Sequence, residues 1–130
     1  MYKFSENSKK ALATCDSRLQ DIAEESIKNI PIDFGISEGH RLLDIQQLYF
    51  KQKKSKCDGI ISVSQHQSSP SLAFDFFGYV NGHTDYSDKT MSFIAGWIMH
   101  CAYEQNIDLE WGGFWRYFKD MPHIQIKKQK

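Results

Sequence analysis

No run of about eighteen apolar residues occurs anywhere in this 130-residue chain, so no membrane-spanning helix is expected. Charge of neither sign is in excess. Sixteen basic residues balance sixteen acidic ones, which argues against a dedicated nucleic-acid binder, whose usual footprint is a strong positive surplus. Cysteine is scarce: Cys15, Cys57 and Cys101 are odd in number, widely spaced and without a Cys-x-x-Cys pair. Neither a disulfide framework nor a thiolate metal site is indicated. The opening M-Y-K-F-S-E-N-S-K-K lacks the apolar core of an export signal, so synthesis in the cytoplasm with reduced thiols is expected. Repeats, low-complexity stretches and Pro/Gly/Ser linkers are missing as well, and residues 1–130 are expected to form a single domain.

What is present suffices for a core. Hydrophobic residues make up 41%, with nine Phe, six Tyr and three Trp, which excludes a disordered chain. The balanced charge is unevenly placed. Lys51, Lys53, Lys54 and Lys56 form one basic run, and Lys127, Lys128 and Lys130 another. Both read as solvated surface, with weak attraction to an anionic polymer or envelope surface as the alternative.

Periodicity predicts a short helix over Lys9 to Thr14, capped by Asn7 or Ser8, and a second from Arg18 to Asn29, capped by Asp16 or Ser17 and ended by Pro31. Asp33 to Gly39 reads as a strand with Phe34 and Ile36 on one side. Leu43 to Lys51 reads as a helix with Leu43, Gln46, Gln47 and Phe50 near one face, followed by a turn at Cys57-Asp58-Gly59. Leu72 to Val80 is the most strand-like segment: Leu72, Phe74 and Phe76 point one way, Ala73, Asp75 and Phe77 the other. Asn81-Gly82 signals a turn, although His83 to Asp88 does not look like a hairpin partner. Asp88 caps the longest helix, from Lys89 to about Asn106, on which His100 is read as a core histidine. Trp111-Gly112-Gly113 breaks the pattern. His123 to Ile126 is a last short strand, with His123 and Gln125 sharing one face.

Two separated motifs carry chemistry. His66 and Asp75 lie in S-Q-H-Q-S-S-P-S-L-A-F-D, and Asp120 and His123 in D-M-P-H. His66, Asp75 and His123 supply two imidazoles and a carboxylate, the set that holds one catalytic zinc ion (Zn2+) with a fourth position open. Asp120 is left over as a general base, which makes this a hydrolase recipe. A strand carboxylate among phenylalanines would be costly without a partner, which favours Asp75 as a ligand. Asp120 could instead cap a turn before Pro122. Arg41 could be an ordinary partner of Glu38 or Asp44. Trp111, Phe114 and Trp115 either wall a cleft or pack in the core, while His40 and His83 are left on the surface.

The ordered set S-x-H, P-S-x-A-x-D, W-G-G and D-x-P-H resembles the zinc D-alanyl peptidases of the VanX/VanY type, and within them the small L-alanyl-D-glutamate peptidases that bacteriophages use as endolysins. The likeness runs from F-S-E-N-S to H-I-Q-I and includes E-G-H-R, Q-Q-L-Y and K-S-K-C-D-G. It implies an α+β fold of the Hedgehog/DD-peptidase-like kind, a small antiparallel sheet carrying the zinc site and packed against several helices. It places the metal ligands on His66, Asp75 and His123, the acid/base on Asp120, and on Arg41 an arginine that holds a substrate carboxylate or stabilises an oxyanion. Ser64 would brace the ligand loop as a hydrogen-bond donor.

Many family members have the first histidine seven residues before the aspartate; here it stands nine before, through Pro70-Ser71, which matches a subgroup. Gln125 stands where many relatives carry Glu. Aspartate rather than glutamate at position 120 favours the endolysin branch. The implied partner is the peptidoglycan stem peptide, met as a monomer and without membrane insertion, after holin-type release to the periplasm. The alternatives are trimming of D-Ala from stem termini in wall recycling and, from another class, a catalytically silent zinc-containing binding module.

Overall fold

The structure, a computed structural model, describes residues 1–128; Lys130 of the basic chain end lies outside them. Helix α1 spans Glu6–Ala13 and starts ahead of the expected Lys9. Its cap is Ser5, whose hydroxyl accepts the Ser8 N–H, and not Asn7 or Ser8. Helix α2, Ser17–Asn29, is capped by Asp16 as expected and buries Leu19, Ile22, Ala23 and Ile27 at helical spacing. Strand β1 is Asp33–Glu38, and helix α3 is Leu43–Lys51. A 3-10 turn over Gln65–Gln67 precedes β2, Ala73–Val80. Then come β3, His83–Asp85, and α4, Asp88–Glu104, followed by β4, Leu109–Trp111, a 3-10 turn over Gly112–Phe114, and β5, His123–Ile126.

The fold is α+β: one antiparallel sheet with four helices. The sheet order is β1-β2-β5-β4. One edge of β2 carries β1. Its other edge is divided, with β5 pairing Ala73 to Asp75 and β3 pairing Gly78 to Val80. Helices α1, α2 and α4 bury one face of this sheet. Phe74, Phe76, Ile94, Ile98 and Ile124 are wholly withdrawn from solvent, each such side chain contributing about 1.5–3 kcal/mol. The alternation along β2 holds as expected, so Asp75 faces away from the Phe74 and Phe76 side.

Several local expectations are corrected. His83 to Asp85 does form the hairpin partner of β2. Asn81 and Gly82 both adopt positive φ, 51° and 80°, the backbone twist that a two-residue hairpin requires. Residues of β3 are too polar and too few to show a strand pattern. Strand β4 was hidden for a similar reason, being three residues before a Gly-Gly break. The cap of α4 is Ser87, whose hydroxyl accepts the Thr90 N–H, rather than Asp88. His100 is no core residue: its side chain is 66% exposed, 3.5 Å from Glu104. Helix α3 has the expected bounds but not the expected face. Only Gln46 is buried, while Leu43, Leu48 and Phe50 stand exposed.

The long spacing between His66 and Asp75 has a structural use. Ser71 forms a parallel bridge with Cys15, its N–H donating to the Thr14 carbonyl while its own carbonyl accepts the Asp16 N–H. The extra residues anchor the segment between the two motifs to the α1–α2 junction. Among the described residues no helix is long and apolar enough to cross a membrane.

Candidate metal centre and its cleft

Three segments converge on the open face of the sheet. Asp75 on β2 and His123 on β5 are direct cross-strand partners, which brings their side chains together on one face. His66 arrives from the 3-10 turn, not from a strand. Ser64 braces that turn as an acceptor, not as the expected donor: its hydroxyl takes the His66 N–H at 3.2 Å, and the Gln67 side chain returns to the Ser64 N–H at 2.9 Å. His66 Nε2 lies 3.1 Å from both Asp75 Oδ1 and His123 Nδ1, and the remaining pair is 3.5 Å apart.

The outward nitrogens settle what the inward ones carry. His66 Nδ1 is 2.7 Å from the Gly39 carbonyl and His123 Nε2 is 2.8 Å from Gln125 Oε1. Carbonyl oxygens only accept, so each outward nitrogen holds the proton and each inward nitrogen of a neutral ring presents a lone pair. Two lone pairs and a carboxylate oxygen therefore face one another, an arrangement that needs a positive charge at its centre. Without an ion the inward nitrogens can carry protons instead. Burial works to raise the Asp75 carboxyl, but hydrogen bonds from the protonated His123 and His66 rings and their charges outweigh it and hold it well below the carboxylate range. Burial likewise opposes a charge on His123, yet Asp75 beside it pulls its pKa up. His66, Asp75 and His123 form a group that could hold a metal ion, with ligand atoms all within 4.8 Å.

Asp120 reaches the same point from the turn before β5. Its Oδ2 is 3.9 Å from His123 Nδ1, and its side chain is 29% exposed. Burial raises its carboxyl above the ordinary value, and the nearby Asp75 charge adds to this; His123, His66 and Arg41 act in the other direction. Gly112 of W-G-G makes room for this turn. Its carbonyl accepts the Asp120 N–H at 3.0 Å, and a Cβ on it would strike the Asp120 carbonyl and crowd His123 Cβ at 3.1 Å. Trp115 lies over His123 with ring centres 5.0 Å apart, held by its indole N–H donating to Glu110 at 2.9 Å. Trp111 instead belongs to the core, and Phe114 is 77% exposed, so of the three candidates only Trp115 walls the cleft.

Arg41 is buried in the wall of this cleft. A bulge in β1 after Ile36 sets Glu38 opposite Asp75 and re-aims its side chain, as bulges beside sites do. Glu38 then grips Arg41 through Nε, at 3.0 Å, and through Nη2. Nη1 donates to Gln46 Oε1 at 2.7 Å, and the guanidinium lies over the Tyr49 ring at 4.7 Å. Three of the five N–H groups of the guanidinium are thus engaged, with Nη2 3.8 Å from Asp75 Oδ2.

The cleft encloses about 600 Å³ and is lined by all five proposed site residues together with Tyr49 and Trp115. Trp115 is expected from the sequence as a candidate cleft wall, whereas Gln46 and Tyr49 carry no expected role. The signal for Gln46 was its place on the inward face of α3, where an apolar residue would be ordinary. Gln125 was put on the His123 face and given no function; it holds the His123 ring. His40 is half-buried, its Nδ1 2.9 Å from the Ser68 carbonyl, away from the cleft.

Comparison with known proteins agrees with this geometry. Residues 1–129 match the family model of the phage L-alanyl-D-glutamate peptidase. The L-alanyl-D-glutamate peptidase of Escherichia phage T5 is 30% identical over 135 residues, covering 98% of this chain and 90% of the relative. The peptidoglycan L-alanyl-D-glutamate endopeptidase CwlK of Bacillus subtilis is 28% identical over 114 residues, covering 82% of this chain and 68% of that protein. The crystal structure of the Serratia marcescens L-Ala D-Glu endopeptidase ChiX shares the fold, with a TM-score of 0.83 at 24% identity over 96% of this chain and 90% of that one. By the sequence match and the shared fold, the chain belongs to the phage L-alanyl-D-glutamate peptidase family.

Proposed function

We propose that this protein is a zinc peptidase, acting as one domain, that hydrolyses the L-Ala–D-Glu bond of peptidoglycan stem peptides in phage lysis. The observation that carries the reading is the convergence of two imidazole lone pairs and a carboxylate oxygen, with a further carboxylate, Asp120, at their side. A tetrahedral ion with bonds of about 2.0–2.1 Å has ligand atoms roughly 3.3–3.4 Å apart. The separations of 3.1, 3.1 and 3.5 Å fit that edge. Nitrogen donors suit zinc and disfavour calcium or magnesium.

A zinc ion held there supplies Lewis acidity and brings water ionisation within reach of neutral pH. Asp120 takes the proton of the attacking water on a carboxylate oxygen and returns it to the nitrogen of the departing D-Glu. Burial favours the protonated form of its carboxyl, which makes it the stronger base. Arg41 presents its two remaining N–H groups toward a substrate carboxylate or the developing oxyanion. Glu38 and Gln46 hold it in place. Trp115 covers His123 and limits water to the open side.

Digestion of purified sacculi, followed by mass spectrometry, tests the reading. Fragments ending in a free L-Ala carboxyl on the sugar side are expected; release of free D-Ala alone would contradict it. The outward hydrogen bond on His123 makes a separate expectation. Gln125→Leu removes the acceptor that orients the ring and should weaken metal affinity about 10- to 100-fold, read by competition with a chromogenic chelator. Gln125→Glu restores an acceptor and should recover it.

A further inference from the structure

Resting on the bond assignment above, we propose that Lys54 and Lys56 form a carboxylate subsite that takes the acidic half of the stem peptide, the half that departs with the D-Glu nitrogen. The substrate is electrically lopsided about its scissile amide. On the L-Ala side, the chain continues as an amide to the sugar's lactyl group and carries no charge. On the other side D-Glu is linked through its γ-carboxyl, so its α-carboxylate is free, and the residues beyond add more carboxylates.

The cleft offers cations to meet them. Lys54 lines it beside Tyr49 and Lys56 beside Tyr117 and Phe118, with Lys128 a further cation of the lining. Between Asp44 and Asp58 there is no acidic residue to neutralise Lys54 and Lys56, and neither of the two lies within 4.0 Å of a carboxylate among the described residues. Of the four carboxylates that share the cleft, Asp120 stands beside His123 and the other three are engaged. Glu38 is bonded to Arg41, Asp75 faces the imidazoles, and Glu110 accepts the Trp115 indole N–H.

The lysines are also held in place. The Lys54 ammonium sits 5.7 Å from the centre of the Tyr49 ring, and that of Lys56 sits 5.7 Å from Tyr117 and 5.8 Å from Phe118. Such contacts restrain a side chain that otherwise loses much rotamer freedom on binding. The backbone between them is fixed by Gln46. Its amide nitrogen donates to Ser55 Oγ at 2.9 Å and to the Cys57 carbonyl at 2.7 Å, while its amide oxygen accepts from Arg41. One buried side chain thus ties the backbone that carries the lysine pair to the guanidinium. A solvated loop would need none of this.

The test compares two purified stem-peptide substrates, one with the free α-carboxylate on D-Glu and one with that group amidated, using the zinc-loaded protein. The native chain should have a kcat/KM about ten-fold higher on the free acid, the size expected for two exposed charge-assisted contacts. K54A/K56A should lose that preference, mainly through KM, with zinc content and cleavage of the amidated substrate unchanged. K54E/K56E should prefer the amidated substrate. A native protein indifferent to amidation, or a K54A/K56A protein with native KM on the free acid, overturns the subsite while leaving the bond assignment intact. If the native protein cuts neither substrate between L-Ala and D-Glu, the bond assignment fails and the subsite with it.

Discussion

Asp120→Asn should bind zinc stoichiometrically and yet lose about 10²- to 10⁴-fold in kcat on peptidoglycan, the usual contribution of a positioned general base. Asparagine keeps the size of the side chain and can still face His123 from 3.9 Å, so the turn that Gly112 accommodates need not move. What disappears is a group able to accept and return a proton. Asp120 is not one of the three grouped ligands, His66, Asp75 and His123, so metal affinity should change little. Lytic activity equal to that of the native protein would remove Asp120 from the reaction. Reduced zinc content would make it a ligand instead.

The larger effect is expected from the ligands themselves. His123→Ala or His66→Ala should abolish stoichiometric metal and all measurable lysis, and chelation of the native protein should do the same reversibly. Removal of either imidazole leaves two inward ligands, and Asp75 then loses one of the hydrogen-bonding rings that hold its charge in a buried setting. A metal held by His66, Asp75 and His123 would join the Gln65–Gln67 turn to β2 and β5, so binding it would also be folding free energy. Thermal unfolding of the native protein should therefore rise with zinc concentration, whereas that of the alanine variants should not. Unchanged metal content in either variant would refute the ligand set.

Most of what can be read without coordinates here is periodic or chemically rare. Helices α2 and α4 announce themselves through apolar spacing, and β2 through alternation around Asp75. The site residues stand out because histidine paired with a carboxylate at two places is uncommon in 130 residues. What escaped was set by tertiary context. Strands β3 and β4 are three residues each, below the length at which alternation can be seen. Caps shifted by one to three positions because Ser5 and Ser87 compete with equally good neighbours. Gln46 matters through the partners its buried amide meets in the folded chain, Arg41, Ser55 and the Cys57 carbonyl, and His100 sits on a helix whose charged side happens to meet solvent.

Helix α3 turns its leucines and Phe50 outward and anchors itself by an amide, so it lacks the apolar burial that keeps α2 and α4 closed. Its amides should exchange with deuterium well before those of α4, at the low end of local opening free energies; protection equal to that of α4 would contradict this. The wall that α3 forms, leading into Lys54 and Lys56, is then the yielding jaw of the cleft, and the strands bearing Asp75 and His123, with Arg41 held to them through Glu38, are the fixed one. A cross-linked mesh cannot diffuse into an enclosed slot as a free peptide can. A cleft that opens on one side, while its reacting groups stay in register, is suited to closing around a strand still tethered at both ends.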